Sequence, residues 1–159
     1  MTEKANPYPS SDERMFAMLS HFSVFLGGIL LPIIFWAIKK DQSQFVRFHS
    51  LQAIFFHIAY FVILIALVIV VVVIAMIMGL GASFTAMEDP GAGAGFSLLM
   101  IIFMVVFYGG LFVVVLGAIG YGVYAGVKSY NGELVMYPVI GKKIYDRVYG
   151  AGAVQNVPQ

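Results

Sequence analysis

Three long apolar runs decide what this chain can fold into. They cover residues 15–38, 51–81 and 96–127. Each is long enough to cross a bilayer core of about 30 Å, since a helix rises about 1.5 Å per residue. Backbone amides in lipid must bond within their own segment, and no run alternates polar and apolar residues as a membrane strand would. The predicted fold class is all-α: a polytopic helical integral membrane protein with three transmembrane helices.

The composition agrees with a membrane protein and excludes several classes of function. Hydrophobic residues make up 61% of the chain and charged residues only 11%, whereas a soluble domain usually has about 25% charged residues. The formal net charge of +1 offers no basic field, so no nucleic-acid partner is expected. The chain contains no Cys, which excludes disulfides, thiolate metal sites and cysteine nucleophiles.

The pattern along the chain predicts a single membrane domain, residues 10–149, between two short tails. Residues 1–9 are polar and predicted to be a flexible tail, with no cleavable signal peptide, and residues 150–159 are predicted to be disordered. Ser10 and Glu13 match the S-x-x-E capping box of a helix start. Helices are predicted at about 11–39, 44–81 and 96–130, followed by a short amphipathic helix at 138–149.

Seven of the nine Lys and Arg residues lie on one side of the predicted spans, and the other two, Lys4 and Arg14, are balanced by nearby acidic residues. Residues 82–95 contain no Lys or Arg, only Glu88 and Asp89. By the positive-inside rule, the 39–50 connection and the C-terminus are cytoplasmic, and the 82–95 loop lies outside. The basic residues that decide this orientation are Lys39, Lys40, Arg47, Lys128, Lys142, Lys143 and Arg147.

Two features of the runs leave alternatives open. Gly27, Gly28 and Pro32 interrupt the first run, so the alternative to three spans is a re-entrant hairpin with two spans and a cytoplasmic N-terminus. The second and third runs, of 31 and 32 residues, would be roughly 46–48 Å long and exceed the bilayer core. Either these helices tilt and end in apolar loops, or another subunit buries their outer ends.

The start of the second run, QFVRFHSLQAIFFHIAY at 44–60, is unusually polar for a membrane helix. On a helical wheel its polar residues divide between two opposite faces, so neighbours are expected on both sides. One interpretation is hydrogen bonding between helices, with an Arg that reaches headgroups; the other is a polar vestibule or proton-responsive site at His57. The first is favoured because no Asp or Glu lies within any span. The candidate residues are Arg47, His49, Ser50, Gln52, His57 and, from the first run, His21.

Neither a metal site nor a catalytic set is expected. If the first run enters from outside, His21 and His57 differ in depth by about 10–15 Å, and no HxxxH or HxxE pair compensates. The sequence has no GxSxG, P-loop, dinucleotide fingerprint or HExxH motif. An enzyme is therefore not expected, and no cofactor is implied.

The third run carries a stripe of small residues. Ala118, Gly122 and Gly126 recur every four residues and include the GxxxG sequence GVYAG. Such a stripe lets helix backbones approach closely in lipid. These three are candidate helix-packing residues, and packing within one chain is favoured over a dimer interface.

The predicted C-terminal helix begins near Pro138, after the Asn131-Gly132 turn. One side of its wheel is apolar and the other mainly basic, which is typical of a helix lying on an anionic leaflet. The alternative is a soluble amphipathic helix packed on the 39–50 segment. Candidate residues for lipid headgroups are Lys142, Lys143 and Arg147.

Three segments resemble a known family. They are DERMFAMLSHF at 12–22, PIIFWAIKKDQSQFVRFHSLQAIFF at 32–56 and NGELVMYPVIGKKI at 131–144. They are similar to a family of small prokaryotic membrane proteins of unknown function, related to the twenty-kilodalton membrane subunit of the chloroplast Tic import translocon. The resemblance implies an all-helical membrane fold with cytoplasmic basic connections. The implied location is the plasma (inner) membrane of a prokaryote, as a multi-pass protein.

These observations predict a non-enzymatic integral membrane protein that acts as an interaction or assembly component. It would bind itself as a homo-oligomer, or other membrane proteins, through the second and third helices. Anionic lipid headgroups at the cytoplasmic face are a further expected partner. The alternative is a small channel or transporter component with a polar vestibule at the inner end of the second helix, lined by Arg47, Ser50, Gln52 and His57.

Overall fold

The computed structural model describes residues 8–26 and 28–150, and over these residues the chain is all-α, as predicted. Its five helices are α1 (Ser11–Leu26), α2 (Leu30–Lys39), α3 (Gln44–Glu88), α4 (Pro90–Tyr130) and α5 (Gly141–Tyr149). Within the described residues, two helices, α3 and α4, are long and apolar enough to cross a membrane. The prediction of three transmembrane helices is therefore not confirmed. The predicted tails lie almost wholly outside the described residues.

The first apolar run forms two helices where the sequence predicts one over 11–39. Gly28 has a φ of 61°, a left-handed conformation that glycine adopts without steric cost, and its N–H donates to the Ser23 carbonyl at 2.7 Å. Pro32 lies in the first turn of α2, where its missing N–H breaks no helical bond. At 16 and 10 residues, α1 and α2 are roughly 24 and 15 Å long, too short for a core of about 30 Å.

α1 and α2 pack against each other in antiparallel directions. Phe16, near the start of α1, packs on Phe35 near the end of α2, with ring centroids 5.1 Å apart. The Lys39 ammonium, at the end of α2, lies 5.6 Å from the centre of the same Phe16 ring. The start of α1 thus meets the end of α2, which is the local geometry of a helical hairpin.

A single residue, Asp89, connects α3 to α4, where the sequence predicts a loop over 82–95. Its carboxylate oxygen Oδ1 accepts hydrogen bonds from the N–H groups of Gly91 at 2.8 Å and Ala92 at 3.3 Å, so it caps the start of α4. Pro90 occupies the first helical position, where proline is well tolerated. The cap and the proline explain why α4 begins six residues before the predicted start at 96.

The predicted membrane domain contains two compact units. The apolar unit is Tyr60–Ala118, and the polar unit takes the residues within 1–59 and 119–159. In the apolar unit the two helical stretches run antiparallel. Only Asp89 separates α3 from α4, and Gly81 of α3 lies against the Phe96 ring of α4, where an added Cβ would be 3.3 Å from the ring. Further along the same pair, a groove of about 320 Å³ is lined by Leu67 and Gly110 among others.

In the polar unit, α5 packs its apolar face on the start of α3. The Phe48 ring of α3 stands edge to face with Tyr145, with centroids 5.9 Å apart. The buried cluster at this contact consists of Phe48, Ile144, Tyr145 and Val148. Protein therefore covers the face that was predicted to lie on lipid, as in the alternative interpretation of this helix. The exposed face carries Lys142, Lys143 and Arg147.

α5 begins at Gly141, whereas the sequence predicts a start at 138. Val139 interrupts the helical conformation, because its φ is 71°. Gly141 also approaches residue 136 closely, and a Cβ at this position would lie only 2.8 Å from the Met136 Cα. The chain therefore turns tightly before the helix starts.

Candidate functional site

Buried polar side chains from three helices and one connecting segment form a hydrogen-bonded cluster in the polar unit. Each is at most 3% exposed. They come from α1, α3, α4 and the segment before α5, so the cluster ties the first helix of the chain to both long helices. We call this group the polar cluster; its members are Ser20, His21, His49, Ser50, Gln52, Ser129 and Tyr137.

Capping residues set the start of the two helices that carry most of the cluster. The Ser10 N–H donates to Glu13 Oε2 at 2.7 Å and the Glu13 N–H donates to Ser10 Oγ at 3.3 Å, which is the predicted capping box of α1. Ser43 Oγ accepts the Val46 N–H at 3.1 Å and caps α3. With the two helices starting at these residues, Ser20 and His21 of α1 face Ser50 and His49 of α3.

Two imidazoles meet at the centre of the cluster. His49 Nδ1 lies 3.0 Å from His21 Nε2 and also 3.0 Å from Ser129 Oγ. The Ser129 hydroxyl donates to the Ala125 carbonyl at 2.6 Å, so toward His49 it must accept. His49 therefore carries its proton on Nδ1 and shares it between Ser129 Oγ and His21 Nε2.

The proton on His21 follows from this assignment. Since its Nε2 accepts, neutral His21 has its proton on Nδ1 and donates to the Tyr137 hydroxyl oxygen at 2.8 Å. A second proton on His21 would set two N–H groups against each other, and a second proton on His49 would place a charge on a ring that is fully buried. No Asp or Glu side chain of the described residues bonds to either ring. Both rings are therefore neutral.

A serine pair makes the second link between α1 and α3. Ser20 Oγ lies 2.9 Å from Ser50 Oγ. The Ser20 hydroxyl donates to the Phe16 carbonyl at 2.8 Å, so Ser50 is the donor in the serine pair. Both hydroxyls thus have a partner although neither is exposed.

Gln52 holds the segment that carries Tyr137. Its Nε2 donates to the Val135 carbonyl at 2.8 Å, and its Oε1 accepts the Tyr137 N–H at 2.7 Å. The side-chain amide thus pairs with one acceptor and one donor of the backbone and fixes this segment beside α3. Burial raises the pKa of the Tyr137 hydroxyl, as does the neighbouring Tyr121, so the phenol stays protonated.

Four of the six candidate polar residues join the cluster, and Arg47 and His57 do not. Arg47 is half-buried and lines a depression of about 290 Å³ with residues 40–44. His57 is buried, and its Nδ1–H donates to the Ala53 carbonyl one turn earlier in α3, at 2.7 Å. The start of α3 therefore bonds to α1 through His49 and Ser50, to α4 through His49, and to the 135–137 segment through Gln52.

His21 reaches His49 because α1 is one arm of a hairpin. The predicted depth difference of about 10–15 Å from His57 assumed a first helix that crosses the membrane from outside. Three members of the cluster, Ser20, Ser129 and Tyr137, were not predicted from the sequence. Ser20 precedes His21, Ser129 follows the GxxxG stripe, and Tyr137 precedes Pro138. A single serine or tyrosine is common in such positions, so none of the three is a signal by itself.

The small residues of α4 allow α1 to come close enough for these bonds. A Cβ on Gly126 would overlap the Phe22 ring, and one on Gly122 would lie 3.4 Å from the His21 carbonyl oxygen. Ser129, three residues after Gly126, then reaches His49. Gly122 and Gly126 thus pack against α1 of the same chain. Ala118, the third candidate packing residue, is half-buried and belongs to the apolar unit.

The arrangement provides directional hydrogen bonds that fix helix packing. A vestibule needs polar walls that water can reach, whereas Ser50, Gln52 and His57 are 0, 0 and 4% exposed. Across residues 8–26 and 28–150, no group of three or more His, Asp or Glu side chains could hold a metal ion.

Comparison with known families gives one match that covers the cluster and both long helices. The model of the MamF/MmsF family, described as the magnetosome magnetite crystal formation protein family, matches residues 12–144. The comparisons with curated proteins and with solved structures give no match. The predicted relation to the Tic import subunit is wrong, because all three segments quoted for it lie inside this match. Short motifs at the ends of apolar helices were not specific enough to separate the two families.

Proposed function

Because the chain belongs to the MamF/MmsF family of magnetosome magnetite crystal formation proteins, we propose that it acts in the magnetosome membrane as a non-enzymatic assembly component. In this role it would hold further copies of itself, or other membrane proteins, together where the crystal forms. The observation that carries the proposal is the exposed apolar surface of α3 and α4.

Large apolar side chains of the apolar unit face outward along both helices. Ile77, Phe84 and Val105 are 65, 68 and 67% exposed. Proteins in water rarely expose continuous apolar surface over such a length, so lipid or another protein must cover it. Insertion of α3 and α4 as two membrane spans accounts for most of this surface.

The apolar stretches are longer than a bilayer can cover. At about 1.5 Å per residue, residues 60–88 are about 43 Å long, against a hydrocarbon core of about 30 Å. A tilt of about 40° still leaves about 3 Å uncovered. The outer end stays apolar to its last turn, where Met87 is 83% exposed. A partner that buries these ends would remove the excess, which supports an assembly role.

The charges support a cytoplasmic C-terminus and contact with anionic headgroups. The α3–α4 turn carries only Glu88 and Asp89, whereas the basic residues concentrate near the other ends of α3 and α4 in the sequence. On α5, Lys142, Lys143 and Arg147 remain exposed while the opposite face packs on α3. The basic face of α5 can therefore meet headgroups while the helix stays docked on protein.

A channel or transporter component has less support. Its polar lining would need Ser50, Gln52 and His57 to face water, and all three are buried. Ser50 also bonds to Ser20, and Gln52 bonds to the backbone of residues 135–137, so neither side chain is free to bind water or a solute.

The test removes the chain from a magnetite-forming host and measures the crystals by electron microscopy. We expect crystals of altered number or size without the chain, and recovery when the wild-type chain is supplied. Crystals of unchanged number and size in its absence would reject the proposed function.

A pair of variants tests whether the outer apolar end does the assembling. Ile77→Ser with Phe84→Ser should abolish cross-linking to partners or other copies and should fail to restore the crystals. The matched control, Ile77→Leu with Phe84→Leu, keeps the apolar surface and should restore both. Normal cross-linking by the serine variant would show that assembly uses another surface.

A further inference from the structure

We propose that α1 and α2 form a re-entrant hairpin that enters the membrane from the side of the C-terminus, contacts the acyl chains of one leaflet, and returns to that same side. The proposal rests on the membrane location of the proposed function. It assigns a lipid partner to an apolar surface that neither the polar cluster nor α5 covers.

The direction of α1 follows from its contacts with α4 in the polar unit. Near the start of α1, Arg14 lies beside Gly132, just after the end of α4, where a glycine Cβ would be 3.6 Å from the Arg14 Cδ. Further on, Val24 lies beside Gly122, with the corresponding distance 3.7 Å. As α1 advances by ten residues, about 15 Å, its neighbours step back along α4 into its apolar part. α1 therefore runs inward from the basic end of α4.

The turn between α1 and α2 lies about half a bilayer from that end. α1 continues for only two residues beyond Val24, and the chain reverses at Gly28. The turn is thus about 20 Å from Arg14, at about 1.5 Å per residue, which is well short of a core of about 30 Å plus its headgroups. α2 then returns beside α1, since Phe35 and Lys39 both lie against Phe16.

The two arms divide polar from apolar side chains as insertion requires. On α1 the polar residues Ser20 and His21 face the polar cluster and are at most 2% exposed. What the hairpin leaves uncovered is apolar: Phe25, Leu30 and Ile34 are 57, 65 and 48% exposed. Acyl chains fit this surface, because each arm is helical and pairs the backbone groups of its interior within itself.

The base of the hairpin has the residues of a membrane interface. Lys39 and Lys40 end α2, and the Lys40 ammonium lies 5.3 Å from the centre of the Trp36 ring. Tryptophan and lysine commonly lie at the headgroup level, where the ring is half in lipid and the ammonium meets phosphate. The Trp36–Lys40 pair at this level favours a lipid leaflet over a protein as the partner.

The chain has no Cys, so single cysteines can report the topology of the full-length protein in sealed vesicles. The positions are exposed: Asp12→Cys and Gln42→Cys for the two bases of the hairpin, Leu30→Cys for its tip, and Lys143→Cys and Glu88→Cys as references for the two sides. We expect Asp12→Cys, Gln42→Cys and Lys143→Cys to react with a membrane-impermeant reagent from one side, and Glu88→Cys from the other. Leu30→Cys should react from neither side, and a fluorophore on it should be quenched by spin-labelled lipid.

Several results would overturn the hairpin. Reaction of Asp12→Cys from the Glu88 side would mean that the first run crosses the membrane. Aqueous labelling of Leu30→Cys would mean that the tip is in water. A tip reached by neither reagent nor lipid quencher would mean that protein covers it. If Lys143→Cys and Glu88→Cys react from the same side, or if alkaline carbonate extracts the chain, the membrane placement in the proposed function fails as well.

Discussion

Replacement of His21 by leucine should destabilise the polar unit more than any exposed change on the same helix. Leucine fills a similar volume but removes the contacts with His49 Nδ1 and the Tyr137 hydroxyl, at 3.0 and 2.8 Å. Two net hydrogen bonds contribute about 1 kcal/mol each, and a buried hydroxyl left unpaired costs about 1–3 kcal/mol. His49 keeps Ser129 as acceptor, so only Tyr137 is orphaned. We expect a loss of about 3–5 kcal/mol for His21→Leu.

The membrane setting defines the lower limit of this estimate. Hydrogen bonds between helices in lipid average about 0.6 kcal/mol, so two of them give about 1 kcal/mol without the orphaned hydroxyl. The higher value should win here, because Tyr137 is 3% exposed and its pKa is raised by burial, so the phenol can neither reach water nor ionise.

The assay is reversible unfolding of the purified chain in mixed micelles, followed by fluorescence. Trp36 is the only tryptophan and lies in α2, so its emission reports the hairpin. Phe25→Leu is the control, because Phe25 is on α1 and 57% exposed, and it should stay within about 0.5 kcal/mol of wild type. Equal stability of His21→Leu and Phe25→Leu would refute the reasoning.

A double variant isolates the orphaned hydroxyl. Tyr137→Phe removes the hydroxyl that His21→Leu leaves unpaired, so the double variant should be about 1 kcal/mol or more better than the sum of the two single changes. Strict additivity would mean that the 2.8 Å contact between His21 and Tyr137 contributes nothing.

Three further changes probe the same unit. Gly126→Ala should destabilise the chain by about 1–3 kcal/mol because its Cβ would overlap the Phe22 ring, whereas Gly120→Ala, with open space around it, should be neutral or stabilising by up to about 1 kcal/mol; equal unfolding midpoints would contradict the close contact. Gln52→Leu should cost about 2–4 kcal/mol by orphaning two backbone groups, and limited proteolysis should then cut within 132–140; an uncut segment would contradict the clamp. Acidification from about pH 7 to about pH 5 should destabilise the wild-type chain, because unfolded histidines take up protons near pH 6.5 while the buried pair stays neutral, and unfolding midpoints that do not move with pH would refute this.

Hydropathy located the apolar parts of α3 and α4 but not the ends of these helices. Apolar runs locate the parts of a helix that lipid can cover, but they do not show where capping residues start or end the helix. The outer turn shows this: the signal for the start of α4 was the Asp89-Pro90 pair, a side-chain cap followed by a proline at the first position. The sequence predicts a loop instead because residues 82–95 lie between two apolar runs and carry Glu88 and Asp89 without Lys or Arg.

Four members of the polar cluster were predictable as single residues, but the cluster as a group was not. His49, Ser50 and Gln52 stand out because polar residues are rare in a membrane helix, and their positions on the helical wheel indicate neighbours on two sides. Which neighbours they have depends on the chain reversal at Gly28, a φ of 61° at one residue. A glycine in an apolar run is equally compatible with close packing, so its role cannot be inferred from the residue type alone.

The polar cluster also favours the proposed hairpin over the other topology that hydropathy permits. If the first run crossed the membrane from outside, α1 would run in the opposite direction along α4, and its start would lie at the outer end. Ser50 and His49 would then lose Ser20 and His21 as partners, and the Tyr137 hydroxyl would lose His21. Unpaired polar groups cost several kcal/mol each in an apolar environment, whereas the exposed apolar face of the hairpin meets lipid equally well in either topology. The energy difference between the arrangements thus comes from a few hydrogen bonds. Buried polar groups here select one packing over another more than they add stability, a role for which buried polar residues at helix contacts are well suited.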